Sequence, residues 1–453
     1  MQAVTGVGFF DRRSTVAAPN FNRFCVPPAG IAAHLAIGQV YAFSTFNIPL
    51  TQVVGLDHTA PGDWSQKSVV WIFSIAIAVL GSSAALFGRW VERGGPRKSM
   101  FVAALCFAGG FLVAALGIRL HLLWLVYLGY GGLGGCGLGI GYISPVSTLL
   151  KWFPDRPGMA TGMAIMGFGG GALIAAPLSV TLMGYFKSAV SNGVLETFVA
   201  MGAIYFVFMM VGVVAVRVPP ADWKPAGWVP LAKPRPLVTT AQVAASVAWR
   251  TPQFWLLWGV LCMNVTAGIG VLGVASPMIQ EIFAGRVTAA AAAGFVGLIS
   301  LFNMGGRFFW ASTSDLIGRR PTYAAFFLLG ILLYSTVPSV GYGGHIGLFV
   351  AAFCIILSMY GGGFATIPAY LRDVFGTMEV GAIHGRLLTA WSVAGVLGPV
   401  LIANLRDAQI AHGSPKAQAY SMTMYVMCGM LLIGFICNLC VRPVDPKHHH
   451  RPS

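Results

Sequence analysis

The chain has 453 residues, 57% hydrophobic and only 9% charged, with a mean hydropathy of +0.76. Soluble domains carry about 25% charged residues, so water is excluded as the solvent for this much apolar surface and lipid is implied. The net charge of +15 would point to nucleic acid in a soluble protein, but its placement along this chain excludes that partner.

Residues 1–26 hold Arg12, Arg13 and Arg23 without an apolar stretch and small-residue cleavage site, and read as a cytoplasmic tail rather than a signal peptide. Beyond them come about twelve apolar windows, each long enough to cross a hydrocarbon core of roughly 30 Å. They lie near 27–51, 68–88, 99–117, 122–147, 158–181 and 196–217, then 253–278, 291–313, 322–340, 346–370, 383–404 and 420–441. Backbone groups in lipid must satisfy one another, and runs of this length do so as helices rather than barrel strands. The fold class is therefore an all-α membrane protein with twelve transmembrane helices. The Pro- and Lys/Arg-rich stretch 218–250 divides them six and six as a cytoplasmic linker between bundles at 27–217 and 251–441, with a second tail at 442–453. With both termini cytoplasmic, roughly 20 of the 28 Lys and Arg fall on the cytoplasmic side and about 6 outside, the positive-inside asymmetry.

The halves echo one another. "GRWVERGGPRKS" follows the second window and "ASTSDLIGRRPT" the eighth, each an acid, a glycine and a basic pair. Glu92, Arg93 and Arg97, and Asp315, Arg319 and Arg320, read as charge-assisted locks across short glycine turns. "KWFPDRPGMATG" and "DVFGTMEVGAIHG" form a second echo, before the fifth and eleventh windows.

Inside the eighth window stands Arg307. A cation at mid-membrane depth costs somewhere between about 2.5 and 17 kcal/mol, and no acid occupies the central part of any window to neutralise it. Guanidinium keeps its charge and presents a planar fork that matches a carboxylate. Arg307 thus reads as a receptor for a visiting anion. The alternative is a side chain snorkelling to the interface.

Other features carry less. The glycines of "GYGGLGGCGLGIGY" have a dinucleotide-like spacing, but they lie inside a membrane window where that motif has no strand to follow. Gly131, Gly135 and Gly139 instead allow a neighbouring helix to come close. Eight scattered cysteines lack metal-like spacing, His448 to His450 read as a solvated tail, and no cofactor or metal is expected. Acids, histidines and cysteines do not converge as an enzyme would require, so the chain reads as a non-enzyme.

Six-plus-six helices, a long central loop and the doubled acid/Gly/Arg-Arg signature resemble the major facilitator superfamily. "YAFSTF" (Tyr41 to Phe46), "KWFPDRPGMATG", "RTPQFWLLW" (Arg250 to Trp258) and "GGRFFWASTSDLIGRR" are more narrowly similar to the oxalate/formate antiporter family, bacterial relatives of monocarboxylate transporters. The resemblance implies two rocking bundles, alternating access and a small carboxylate as cargo, in a monomer of the inner (plasma) membrane. It places Arg307 at the substrate-binding arginine of helix eight. It puts Asn303 where eukaryotic monocarboxylate transporters have a proton-coupling aspartate, and Trp391 where the oxalate carrier has a second cation. Cavity positions fall on Tyr41, Tyr142, Phe168, Tyr360 and Phe364, with Gln39 and Asn264 as weaker candidates. Trp391 in place of a lysine, with Phe168 and Phe364 lacking polar tips, favours a monoanion of lactate, pyruvate or formate type, because a dianion in low dielectric needs close to two positive charges. His384 and Arg386 are a second-cation or proton site, or a headgroup anchor. Oxalate:formate exchange and a non-transporting carboxylate sensor remain the alternatives.

Overall fold

The computed structural model describes residues 8–221, 223–228 and 237–450. Residues 222 and 229–236 of the expected linker, 1–7 of the first tail and 451–453 of the second lie outside the described residues. Among the described residues, twelve helices are long and apolar enough to span a membrane. They are α1 Arg23–Leu50, α2 Gln66–Gly94, α3 Pro96–Arg119, α4 Leu123–Trp152, α5 Pro157–Phe186 and α6 Val194–Ala215. The second set is α7 Pro252–Ile282, α8 Ala291–Ile317, α9 Arg319–Tyr342, α10 Ile346–Phe375, α11 Val380–Ala411 and α12 Ser421–Cys440. Each corresponds to one apolar window of the sequence. Their outer faces leave large apolar side chains uncovered, as on α6 with Val207, Phe208, Val211 and Val214, which is the surface a lipid solvent requires.

Local chemistry sets the boundaries. Ser65 and Thr288 cap α2 and the helix containing α8 by accepting the N–H of Ser68 and Ala291. Gly95 and Gly318 hold equivalent positions in the two echoed loops and share one backbone conformation, φ 82°, ψ 164° and φ 94°, ψ 159°. Side chains with a Cβ avoid that region, so glycine is needed at both turns. The helix pairing repeats as well. α2 packs on α4, α3 on α4 and α6, and α1 on α4 and α6; six helices later, α8 packs on α10, α9 on α10 and α12, and α7 on α10 and α12. A parallel internal duplication is thus written in both sequence and packing.

Several helices depart from regularity. α1 carries a nine-residue 3₁₀ stretch, Gly38–Phe46, over the "YAFSTF" motif, where runs beyond three or four residues are uncommon. α4 opens through a π-helical stretch at Tyr127–Gly134, and α11 is interrupted at Leu388. Glycines of α4 do seat a neighbour: a Cβ on Gly139 would overlap the Leu80 carbonyl of α2.

Contacts divide the chain into two compact units. One comprises Met1–Asp155, Gly170–Pro230 and Glu379–Thr389; the other comprises Arg156–Gly169, Leu231–Met378 and Ala390–Ser453. In the first, the tail is tied down: Ala17 N–H donates to Val218 C=O and Val218 N–H to Thr15 C=O, both at 2.9 Å. In the second, Thr239 and Val243 donate their N–H groups to the carbonyls of Asp373 and Phe375 at 2.7 and 2.9 Å.

Candidate functional site

In the second unit, α8 approaches α10 through glycine. A Cβ on Gly306 would overlap the Ser358 carbonyl, and one on Gly361 would come to 3.0 Å from Arg307 Cγ. Arg307, one residue after Gly306, is 0% exposed, and Asn303 one turn earlier is 3% exposed. Arg307 Nε donates to Asn303 Oδ1 at 3.2 Å and Nη1 to the Ile165 carbonyl at 3.4 Å. Nη2 is buried and has no hydrogen-bond partner among the described residues. No described carboxylate lies within salt-bridge distance of it.

Aromatic rings enclose this cation. Its Cζ lies 5.8 Å from the Phe168 centroid and 5.4 Å from that of Phe364, both within cation–π range. Trp391 closes the group edge-on, 5.3 Å from Phe168 and 4.7 Å from Phe364, and Tyr360 meets Phe364 at 5.4 Å. Thr161 Oγ1 donates to the Ala365 carbonyl at 2.6 Å, pinning the start of α5 to α10. Six of the residues named from sequence thus converge here: Arg307, Asn303, Phe168, Phe364, Trp391 and Tyr360. An apolar box strengthens any charge interaction inside it, and a buried cation without an acidic partner is costly. A carboxylate would relieve that cost and receive the remaining guanidinium N–H groups. Asn264 on α7 lines a small pocket with Tyr360 and has its Oδ1 against Gly363.

The first unit holds a second polar group. Tyr142 and His34 are each 0% exposed, and His34 Nε2 lies 3.1 Å from the Tyr142 carbonyl. The Tyr142 ring is 5.3 Å from His34 and 5.8 Å from His384. His384 is 1% exposed, while Arg386 and Tyr41 are half-buried. Gln39 accepts a bond from Tyr130 at 2.9 Å.

The loop charges differ from the expected symmetric locks. Asp315 does pair within its own loop, with Arg319 at 2.6 Å, and Arg319 also reaches Asp373 at 3.1 Å. Arg320 instead donates to the Leu439 carbonyl. In the first loop Glu92 pairs with neither Arg93 nor Arg97. It takes Lys151 and Ser147 at 2.6 Å each, and the Gly381 N–H at 3.0 Å. The reason is geometric: Glu92 sits on helical α2 facing α4 and the start of α11. Arg93 is exposed, and Arg97 turns beneath the tail to the Phe9 carbonyl at 3.0 Å and Ser14 at 3.1 Å.

Sequence reasoning missed His34, Lys151, Ser147 and the Ile165 carbonyl. A histidine inside the apolar run "GIAAHLAIG" is the same kind of signal as Arg307 and could have been found. The loop–helix partnership was also present, since the acids of the first echo receive the helix starts of the second.

The family model described as Major Facilitator Superfamily matches residues 29–399 and 268–453. The oxalate:formate antiporter of Oxalobacter formigenes is 26% identical over 361 residues, covering 80% of this chain and 79% of that protein. The apicoplast pyruvate carrier 1 of Toxoplasma gondii is 24% identical over 506 residues, covering 93% and 89%. Among solved structures, the E. coli fucose:proton symporter superposes with a TM-score of 0.65 at 12% identity, covering 93% of this chain and all of that one.

Proposed function

We propose, on the premise that this chain belongs to the Major Facilitator Superfamily and is a multi-pass secondary transporter, that its cargo is a small monocarboxylate of the lactate, pyruvate or formate type. The observation that carries this reading is Arg307: fully buried, flanked by the Phe168 and Phe364 rings, without an acidic partner among the described residues, and with no hydrogen-bond partner for Nη2 among them. One guanidinium balances one carboxylate. The apolar rings around it suit a short carbon skeleton better than a second charge. Two relatives named for oxalate, formate and pyruvate carriage support the substrate class. Asn303 orients the guanidinium, Trp391 and Tyr360 face the rest of the cargo, and Glu92 and Asp315 act as gating groups at the loops. The protein works as a monomer in the inner membrane with both termini cytoplasmic.

A second reading, oxalate:formate exchange, draws on the antiporter relative and requires Arg386 or His384 to supply a further cation. Counterflow in proteoliposomes preloaded with lactate, pyruvate, formate or oxalate decides between them. Labelled monocarboxylate should exchange and oxalate should not. Arg307→Lys should cut exchange by at least about tenfold, the equivalent of 1.4 kcal/mol, with the protein still inserted. Exchange at the wild-type rate in that variant defeats the assignment of Arg307. Binding without any flux would make the protein a sensor.

A further inference from the structure

We propose that the second tail and the turn before α7 form a binding site for a phosphoester anion, carried either by a lipid headgroup or by a soluble compound. The site is independent of whatever cargo Arg307 takes, and all of it lies within the second compact unit. A cavity of about 460 Å³ opens there, floored by Ala244 and Val247 and walled by Arg250, Lys447 and the consecutive histidines His448, His449 and His450. Small-molecule sites commonly measure about 300 to 1,000 Å³.

The tail is held in place, where the sequence suggested a solvated one. Val441 and Val444 are buried. Gln253 Nε2 donates to the Pro443 carbonyl at 3.0 Å, and the His450 N–H donates to the Gln242 carbonyl at 2.7 Å. Gln242 is itself fixed, because its Oε1 accepts the N–H groups of Thr377 and Met378 at 2.8 Å each. Between the two anchors Asp445 caps a single 3₁₀ turn, Pro446–His448, by accepting the Lys447 N–H at 3.0 Å. Ordering backbone costs entropy, and here it sets basic side chains side by side around one opening.

Charge and depth select the ligand. Arg250 and Lys447 bring two cations, each imidazole carries at least one N–H in either protonation state, and no described acid lines the cavity. Lys447 Nζ meets Asp445 at 3.1 Å, but the two side chains are 68% and 52% exposed, and an ion pair so exposed contributes little. A cleft lined by one sign of charge concentrates the opposite sign. A phosphoester presents several acceptor oxygens around one centre, which suits donors converging from two chain segments; a lone carboxylate would leave most of them unused. Trp249 precedes Arg250 and Trp255 follows on the first turn of α7, 42% and 54% exposed, with Arg250 Cζ 5.7 Å from the Trp249 ring. Exposed tryptophans at the end of a membrane helix mark the headgroup layer, so the opening stands at the depth of lipid phosphates.

The test uses the full chain, purified in detergent and stripped of lipid. The probes are short-chain phosphatidylglycerol, short-chain phosphatidylcholine, glycerol 3-phosphate and acetate. Native mass spectrometry reads binding, and hydrogen–deuterium exchange at residues 244–250 and 441–450 reads its place. Phosphatidylglycerol should bind and slow exchange in both segments, with phosphatidylcholine and acetate weaker by at least about tenfold. Replacing both cations, Arg250→Gln with Lys447→Gln, should weaken binding by at least about tenfold, and His448→Ala with His449→Ala and His450→Ala severalfold. Lys98→Gln with Lys224→Gln, which removes two exposed cations elsewhere, should bind as wild type does. Protection by phosphatidylglycerol alone identifies a lipid as the ligand, and equal protection by glycerol 3-phosphate identifies a soluble phosphoester; either supports the site. Absence of protection in these segments with every phosphoester overturns the proposal, as does wild-type affinity in the Arg250 and Lys447 double variant. Acetate binding as tightly as the phosphoesters, or an equal loss in the Lys98 and Lys224 pair, also overturns it.

Discussion

The carboxylate of Asp315 caps the first turn of α5, accepting the backbone N–H of Gly158 at 2.9 Å, and that of its neighbour Met159 at 2.8 Å. The first N–H groups of a helix have no partner within it, and negative charge is favoured at that end. Arg319 steadies the acid from the loop side at 2.6 Å. Glu92 does the same for the Gly381 N–H at the start of α11. Each compact unit therefore contains an acid from the last turn of one helix and the helix start that it caps.

Asp315→Asn should release the α5 cap. The substitution removes the charge and leaves Arg319 with Asp373 as its acidic partner and Ser314 as a further acceptor. Losing a buried charge-assisted bond costs about 1–3 kcal/mol, so amide exchange at residues 158 and 159 should speed up roughly 10- to 100-fold by hydrogen–deuterium exchange. Unchanged protection there would show that the carboxylate does not hold the turn.

Much of this architecture is legible along the chain. Twelve helices follow from apolar windows because a bilayer fixes element length. The Gly95 and Gly318 turns follow from the acid/Gly/basic echo. The charge partners do not. Glu92 is 59 residues from Lys151 and 289 from Gly381, and no local spacing encodes a side chain that caps a remote helix. Nearest-neighbour reasoning therefore gave Glu92 to Arg93 and Arg97, whereas folding offered a cation and an orphan N–H closer at hand. For Arg307, burial without an acid could be argued from composition. Its bond to Asn303 joins neighbours one turn apart on the same helix, but its bond to Ile165 required the α5 backbone to be in place.

Asn303 sets a sharp test of the role given to Arg307. Its Oδ1 takes only the Nε proton, at 3.2 Å, and adds no charge. Asn303→Asp would supply a fixed anion one turn from the guanidinium, competing with cargo in a low-dielectric box. The KM for monocarboxylate should rise about tenfold or more. Asn303→Ala, which removes only the orienting bond, should raise it by a few-fold. A wild-type KM in Asn303→Asp would mean that cargo does not use this cation.

The connection between α1 and α2 should be sensitive to acid. Burial of Asp63 pushes its carboxyl up, but the N–H groups of Ala60, Val54 and Gly55, at 2.9, 2.7 and 3.0 Å, outweigh this and hold it below the ordinary carboxylate range. A folded-state value lowered in this way adds stability above the unfolded value, about pH 4. That stability is lost as pH falls through the lower folded value. The thermal midpoint of wild type should exceed that of Asp63→Asn from about pH 5 upward, and the gap should close toward pH 3. A gap that stays constant over this range would show that the ionised carboxylate is not the stabilising form.

The α8–α10 contact beneath Arg307 can be probed with two adjacent glycines. A Cβ on Gly306 would overlap the Ser358 carbonyl, whereas one on Gly305 meets nothing within 4 Å. Both residues are helical, so alanine gains similar helix propensity at either position. Only Gly306→Ala forces the two backbones apart, an overpacking cost of about 1–3 kcal/mol. It should lower the thermal midpoint in detergent and, by shifting Arg307 away from Phe364, reduce cargo exchange. Gly305→Ala should match wild type in both or be slightly more stable. Equal behaviour of the two variants would mean that α8 and α10 are not in backbone contact at this level. The rigid placement of the guanidinium would then have to come from α5 alone, through the Ile165 carbonyl and the Phe168 ring.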